Sequence, residues 1–280
     1  MPTKPPTIGL LLLAMLLVRG AHAAEILLYD GGSADRPQDQ PWLTYFYDFL
    51  TGADPGTATV PGGVAMDSTG EPGDSAGFFN HDVGISLFPP AITWPLKNPA
   101  FPALDPAAGF RLGFELLIRD EDHGSNDRAG FSVILLGDDR RGIELGFWEN
   151  AIWAQDGPAF TRAESAAFDT TSAGVLYELT ILGLDYVLTA DGTAILAGGV
   201  RDYTPAAPFP DPYDVPNMLF LGDDTGSAGA DVTLGRITLA TGPFAAPAPA
   251  PWLLLTGGLL WLARRRTAWS GCRLARCSSG

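Results

Sequence analysis

Between Ala24 and Gly242, apolar and polar positions alternate in short runs broken by Gly, Pro, Asp and Asn, and no stretch carries a convincing helical period. That pattern predicts an all-β domain. Clear strands are expected over 110–119, 130–136, 142–148, 151–155, 176–182, 185–190, 193–196, 218–221 and 231–239. The first third is looser, with strand-like pieces at 26–29, 44–49, 77–80 and 85–88. Pro89-Pro90, Pro95, Pro99, Pro102 and Pro106 predict an extended connection before Phe110.

Side chains on a strand point alternately to opposite faces. Phe110, Leu112, Phe114, Leu116 and Ile118 therefore share one face, and Arg111, Glu115 and Arg119 the other. Ile143, Leu145 and Phe147 oppose Glu144 and Trp148. Glu149-Asn150 suits a two-residue hairpin turn. Such a turn pairs Trp148 with Ala151, Gly146 with Trp153, and Glu144 with Gln155, and lays Trp153 over the bare backbone of Gly146. One sheet is thus expected to put an apolar face in the core and a polar, aromatic face outside, with Arg111 and Glu115 as further candidates. A ligand groove and a plain solvated surface both fit that face. Asp191-Gly192 turns a second hairpin into Thr193–Leu196.

The two ends carry another pattern. Lys4, the apolar run Ile8–Val18 and the small residues of Ala21-His22-Ala23 read as a secretory signal over 1–23. The domain is expected over 24–242. A Pro/Ala linker follows at 243–251, then an apolar segment with an Arg cluster at 252–266, and a tail at 267–280. Trp252–Ala263 as a helix would span about 18 Å, short of a hydrocarbon core of roughly 30 Å. Arg264, Arg265 and Arg266 would hold the chain end on the cytoplasmic side.

Charge separates the same regions. The 280 residues carry 17 Lys plus Arg and 32 Asp plus Glu, a net charge of −15. Every acidic residue lies between Glu25 and Asp231. That balance excludes a nucleic-acid partner, which needs a basic patch. Three His and 2 Cys argue against zinc or iron–sulfur chemistry. Both cysteines, Cys272 and Cys277, fall in the tail, so the exported domain must stand without disulfides.

The order Pro247, Pro249, Pro251, Trp252, Gly257, Gly258 and Arg264 to Arg266 resembles the PEP-CTERM family of sorting signals, with Ala248 where that motif has Glu. The resemblance implies an exosortase-type membrane protease as partner, transient anchoring in the inner membrane, and delivery to the cell surface or extracellular matrix. The run from Phe110 to Leu239, with GIELGFW, YELTI and YVLTADGTAI, resembles the concanavalin-like (laminin-G-like) jelly roll and the exported choice-of-anchor domains of bacteria. It implies a jelly-roll β-sandwich flanked by a signal peptide and a C-terminal hydrophobic sorting helix.

Three chemistries are open. Glu144 and Glu149 have the outer spacing of the Glu-x-Asp-x-x-Glu strand of laminarinase-type glucanases, with Gly146 at the central Asp; this leaves a glycoside hydrolase or lyase as an alternative. The acidic turn with Asp120, Asp122, Asn126 and Asp127, and the turns at Asp138-Asp139 and Asp223-Asp224, offer hard oxygen donors for Ca2+. No Gly-x-Ser-x-Gly motif occurs, and His81 and His123 lack a visible Ser partner. The reading favoured by these features is a non-catalytic surface domain that binds carbohydrate or exopolysaccharide through Glu144, Trp148, Trp153, Gln155, Arg111 and Glu115. A purely structural envelope or matrix component is the alternative.

Overall fold

The structure is a computed structural model, and it describes residues 24–47, 54–70, 75–87, 90–157, 159–204 and 212–244. The signal segment, the sorting segment with its Arg cluster, the tail and most of the Pro/Ala linker lie outside the described residues, as do Asp48 and Phe49 of an expected strand. The sandwich belongs to one compact unit that ends at Phe244.

Eighteen strands form among the described residues. In chain order they are β1 (Ala24–Tyr29), β2 (Thr44–Tyr47), β3 (Ala58–Val60), β4 (Gly63–Asp67), β5 (Ala76–Phe79), β6 (Gly84–Leu87) and β7 (Pro90–Thr93). Next come β8 (Phe110–His123), β9 (Ser132–Leu136), β10 (Arg141–Trp148), β11 (Ala151–Gln155), β12 (Arg162–Ala167) and β13 (Leu176–Leu182). The last are β14 (Asp185–Ala190), β15 (Thr193–Gly199), β16 (Arg201–Asp202), β17 (Leu219–Asp223) and β18 (Ala228–Thr241). The all-β expectation holds, with only two short 3-10 turns besides strands in the described residues.

Two eight-stranded antiparallel sheets make a sandwich. The first runs β15-β14-β13-β8-β18-β4-β3, with β1 also on β18. The second runs β12-β11-β10-β9-β17-β5-β2, with β16 also on β10. β6, over the strand-like piece expected at 85–88, pairs with β7 in a separate ribbon, and β7 lies where the prolines had predicted only an extended connection.

The alternation read in the sequence explains the shared core. Phe110, Leu112, Phe114, Leu116 and Ile118 from one sheet meet Ile143, Leu145 and Phe147 from the other in a single buried cluster. Phe114 lies 5.4 Å from Tyr177 in a stacked pair and meets Phe147 edge-on at 5.9 Å across the gap between the sheets. Such aromatic pairs each add about 0.5–1.5 kcal/mol beyond their burial. β18 keeps its apolar side inward only by slipping register: Val232 and Leu234 are buried, and after an irregularity between Leu234 and Ile237, Ile237 and Leu239 are buried instead. One extra residue at a bulge reverses the parity, which a regular strand cannot do.

The second sheet differs from the first in having both faces covered. β9, β11 and β17 are buried at every position, and β10 at all but Arg141. On the side away from the core, Phe79, Ile134, Leu136 and Phe220 pack under Tyr203, Tyr213 and Met218 in a second cluster. The polar aromatic face expected around Glu144 is therefore roofed rather than solvated.

Candidate functional site

The predicted hairpin forms in the predicted register. Trp148 pairs with Ala151 and Gly146 with Trp153 across the Glu149-Asn150 turn. A Cβ at Gly146 would stand 2.6 Å from the Trp153 indole, so the glycine is what lets that ring lie flat on the sheet. The register continues across the sheet. Gly146 lies opposite Ser132, Ser132 opposite Gly222, and Gly222 opposite Gly77. One cross-strand row thus carries almost no side-chain bulk. Trp153 fills the space over Gly146, and the Phe220 ring reaches 2.6 Å from where a Gly77 Cβ would be. The gap left over Ser132 is a pocket of about 330 Å³.

Glu144, Trp153, Gln155, Ser132 and Asp224 line this pocket from the sheet, and Arg128, Phe160 and Tyr213 line it from the loops above. Glu144 is 4% exposed and Gln155 2%. Tyr203 wedges the strands apart beneath them: its hydroxyl accepts from the Glu144 N–H at 3.1 Å and donates to the Gln155 carbonyl at 3.0 Å. The wedge sits just where the β10–β11 pairing gives way to β16, which takes over β10 at Arg141 and Gly142. Phe160 holds a left-handed backbone, φ 47°, unusual for a bulky residue. Its ring stacks on Tyr203 at 6.0 Å, and its carbonyl accepts from Arg128 at 2.7 Å.

The electrostatic centre is an acid pair. The Tyr213 hydroxyl donates to Glu144 Oε2 at 2.6 Å and lies 3.3 Å from Asp224 Oδ2. Burial, and then the Asp224 charge beside it, push the Glu144 carboxyl well above its ordinary range. Burial also raises Asp224, against the hydrogen bond from Ser132 that favours its carboxylate. Two carboxyls that share one buried hydroxyl resist ionising together. Burial keeps both Tyr203 and Tyr213 as neutral phenols.

Two polar atoms in the lining have no protein partner among the described residues: Trp153 Nε1, a donor, and Gln155 Oε1, an acceptor. Orphaned buried polar atoms are costly.

Three of the sequence-derived ligand residues, Glu144, Trp153 and Gln155, thus converge. The others do not. Trp148 is buried beside the pocket, its Nε1 donating to the Arg128 carbonyl at 2.8 Å and its ring stacked on His123 at 4.0 Å with the Arg162 guanidinium 4.6 Å away. It braces Trp153 at 5.8 Å and has no free face to offer a sugar. Arg111 and Glu115 belong to the first sheet. Arg111 pairs with Glu178 at 3.2 Å, and Glu115 lies over Gly235. Parity within a strand cannot say which sheet the strand joins, hence the error.

The calcium residues are also dispersed. β8 runs on to His123, so Asp120 and Asp122 are strand residues opposite Asp231 and Gly229, not turn ligands. Asp127 Oδ1 accepts from the Arg162 N–H at 2.8 Å. Among the described residues, no three His, Cys, Asp or Glu side chains are placed to hold a metal ion. Glu149 sits exposed in the hairpin turn, turned away from the pocket that holds Glu144, so the glucanase-like pair is not assembled.

Sequence reasoning missed Tyr203, Tyr213, Arg128, Ser132 and Phe160, and took Asp224 only as a turn residue. Asp224 carried a usable signal: it continues the parity of Phe220 and Gly222 at the end of β17.

No protein-family model matches the chain, and no curated protein matches it. Among solved structures, it resembles a carbohydrate esterase of a Shiga toxin-encoding bacteriophage, with a TM-score of 0.48 and 13% identity over 78% of this chain and 100% of the other. It also resembles the Crh5 transglycosylase in complex with NAG, with a TM-score of 0.46 and 12% identity over 82% and 87%. The carbohydrate binding module CBM66 of Bacillus subtilis gives 0.37 and 10% over 70% and 94%.

Proposed function

We propose that this chain is an exported, non-catalytic β-sandwich of the concanavalin-like jelly-roll kind that binds carbohydrate in the pocket over Ser132. In this reading a PEP-CTERM-type tail delivers it, through an exosortase-type protease, to the cell surface or extracellular matrix. The observation that carries the binding reading is the pair of orphaned atoms. Trp153 Nε1 asks for an acceptor and Gln155 Oε1 for a donor. A sugar hydroxyl both donates and accepts, and a ring of such groups meets both demands. The volume is near the lower end of small-molecule sites, about 300–1,000 Å³, which suits one sugar ring rather than a long chain.

A hydrolase on the same site is the weaker reading. Retaining glycosidases hold two carboxyls about 5–5.5 Å apart and inverting ones about 6.5–9.5 Å. An oxygen of Glu144 and an oxygen of Asp224 instead both engage the Tyr213 hydroxyl, at 2.6 and 3.3 Å, so the group between them is a phenol of the protein. A glycan array probed with the purified protein tests the proposal. Retention of particular glycans, lost in Gln155→Ala, supports it; an empty array leaves a structural matrix protein. Fractionation and the mass of the mature C terminus test the sorting route.

A further inference from the structure

We propose, resting on the carbohydrate reading above, that the binding site is bipartite: a glycan seated over Ser132 continues across the turn between β17 and β18 into a second subsite beside Asp122. The ligand is then a run of at least two linked sugar units, and a carboxylate reads the outer one.

A second cavity, of about 230 Å³, is lined by Ser68, Thr69, Asp122, Gly124 and the turn itself. Alone it falls below the volume of ordinary small-molecule sites, about 300–1,000 Å³. Its position gives it meaning. Gly226 lines both this cavity and the pocket over Ser132, so one turn is the wall between them. The turn joins β17 of one sheet to β18 of the other. Its own side chains hold it. Asp223 Oδ1 accepts from the Thr225 N–H at 3.0 Å, Thr225 Oγ1 accepts from the Ser227 N–H at 3.3 Å, and the Thr225 and Ser227 hydroxyls are 2.9 Å apart. At its exposed crest Gly226 has no side chain, so a chain of sugars can cross at backbone height.

The second cavity holds a free acceptor. Along β8, Glu121 turns inward, its side chain 2% exposed, with His123 Nδ1 at 2.7 Å and the Gly130 N–H donating to it at 3.3 Å. Asp122 comes next on the strand and so faces out. It is exposed, and it stands opposite Gly229, which has no side chain to meet it. Among the described residues its carboxylate accepts no hydrogen bond and joins no ion pair. The hydroxyls beside it have spent their hydrogens: Ser68 Oγ donates to Asp223 Oδ2 at 2.7 Å, and Thr69 Oγ1 to Asp67 Oδ1 at 2.7 Å. Acceptors therefore dominate around Asp122, and a ligand rich in hydroxyl donors fits them. A carboxylate can take two adjacent hydroxyls, one on each oxygen, in charge-assisted bonds.

The test is a length series on the purified full chain. The probes are glucose, galactose and N-acetylglucosamine with their linked di-, tri- and tetrasaccharides, read by calorimetry and by tryptophan emission, since Trp153 lines the first pocket. Affinity should rise at least about tenfold from the monosaccharide to the longer probes, the worth of one charge-assisted hydrogen bond. Asp122→Ala should cancel that rise, and Gln155→Ala should weaken every length. Amide hydrogen exchange on the unaltered protein gives a second readout: a tetrasaccharide should protect 122–124 and 226–229, and a monosaccharide should not. Equal affinity at all lengths, a rise that persists in Asp122→Ala, or a rise that a chelator abolishes overturns the second subsite and leaves the carbohydrate reading intact; in the chelator case an ion, not Asp122, would hold the sugar. No binding by any probe overturns both. If Asp122→Ala does not fold, the exchange pattern decides: no protection at 122–124 and 226–229 by the tetrasaccharide overturns the proposal.

Discussion

The acid pair makes folding stability depend on pH in a direction opposite to that of most carboxylates. Glu144 ionises at an ordinary value of 4.5 when unfolded, and burial raises it in the folded chain. Between those two points the folded state binds a proton that the unfolded state has released. Stability therefore falls as pH rises, by about 1.4 kcal/mol per pH unit for one proton, until the folded carboxyl itself ionises. Glu144→Gln removes that proton and little else. Its Oε1 can still accept from Tyr213. The variant should match or trail the wild type at the acid edge of the window. Two pH units higher it should lead by roughly 2–3 kcal/mol. Urea denaturation of both proteins across the pH series, taken as a difference curve so that other titrations cancel, gives the measurement. A difference that stays constant with pH, or moves against the mutant as pH rises, would refute a protonated Glu144.

Other outcomes follow from single contacts. His81 is pushed down to about 4 by burial and holds Asn80 Oδ1 at 2.9 Å, so acidification from about 6.5 should cost about 3 kcal/mol, and His81→Gln should flatten that limb in the same titration. Gly146→Val drives a side chain into the Trp153 indole; it should destabilise by about 1–3 kcal/mol and abolish glycan retention, with a shifted tryptophan emission as the marker. Thr170→Val removes a buried hydroxyl that donates to the Trp148 carbonyl at 2.6 Å, for a loss of about 1 kcal/mol in urea melts. Adding Ca2+ or a chelator should leave the melting temperature unchanged, because Asp120, Asp122, Asn126 and Asp127 do not converge; a calcium-dependent rise would restore the ion.

The strands with strict alternation were legible in the sequence, as was the Glu149-Asn150 hairpin. β8, β10, β11, β13 and β14 owe their form to neighbouring residues, and neighbours are what a sequence displays. β3 and β4 escaped because Pro and Gly interrupt them, and β12 because Arg162–Ala167 has little intrinsic strand preference and is held by pairing with β11. The site was half legible for the same reason. Glu144, Trp153 and Gln155 share a face through local register, whereas Tyr213 meets Glu144 from 69 residues away. The polar face of β10 fitted a groove and a solvated surface equally because nothing local announces the roof that the later loops build. Arg111 and Glu115 have the same alternation as Glu144, and only topology assigns them to the other sheet.

The pairing of β1 with β18 brings Ala24 opposite Thr241, so the sandwich opens and closes its chain at one corner. β18 is also stitched to β8 along most of its length and, on its other edge, to β4 over Asp231–Leu234. A force pulling on the residues after Thr241, resisted by a ligand seated on the opposite sheet, runs lengthwise along β18. Its rungs on both sides are then loaded together in shear rather than peeled one at a time, so the strand that leads out of the sandwich is also built to bear tension.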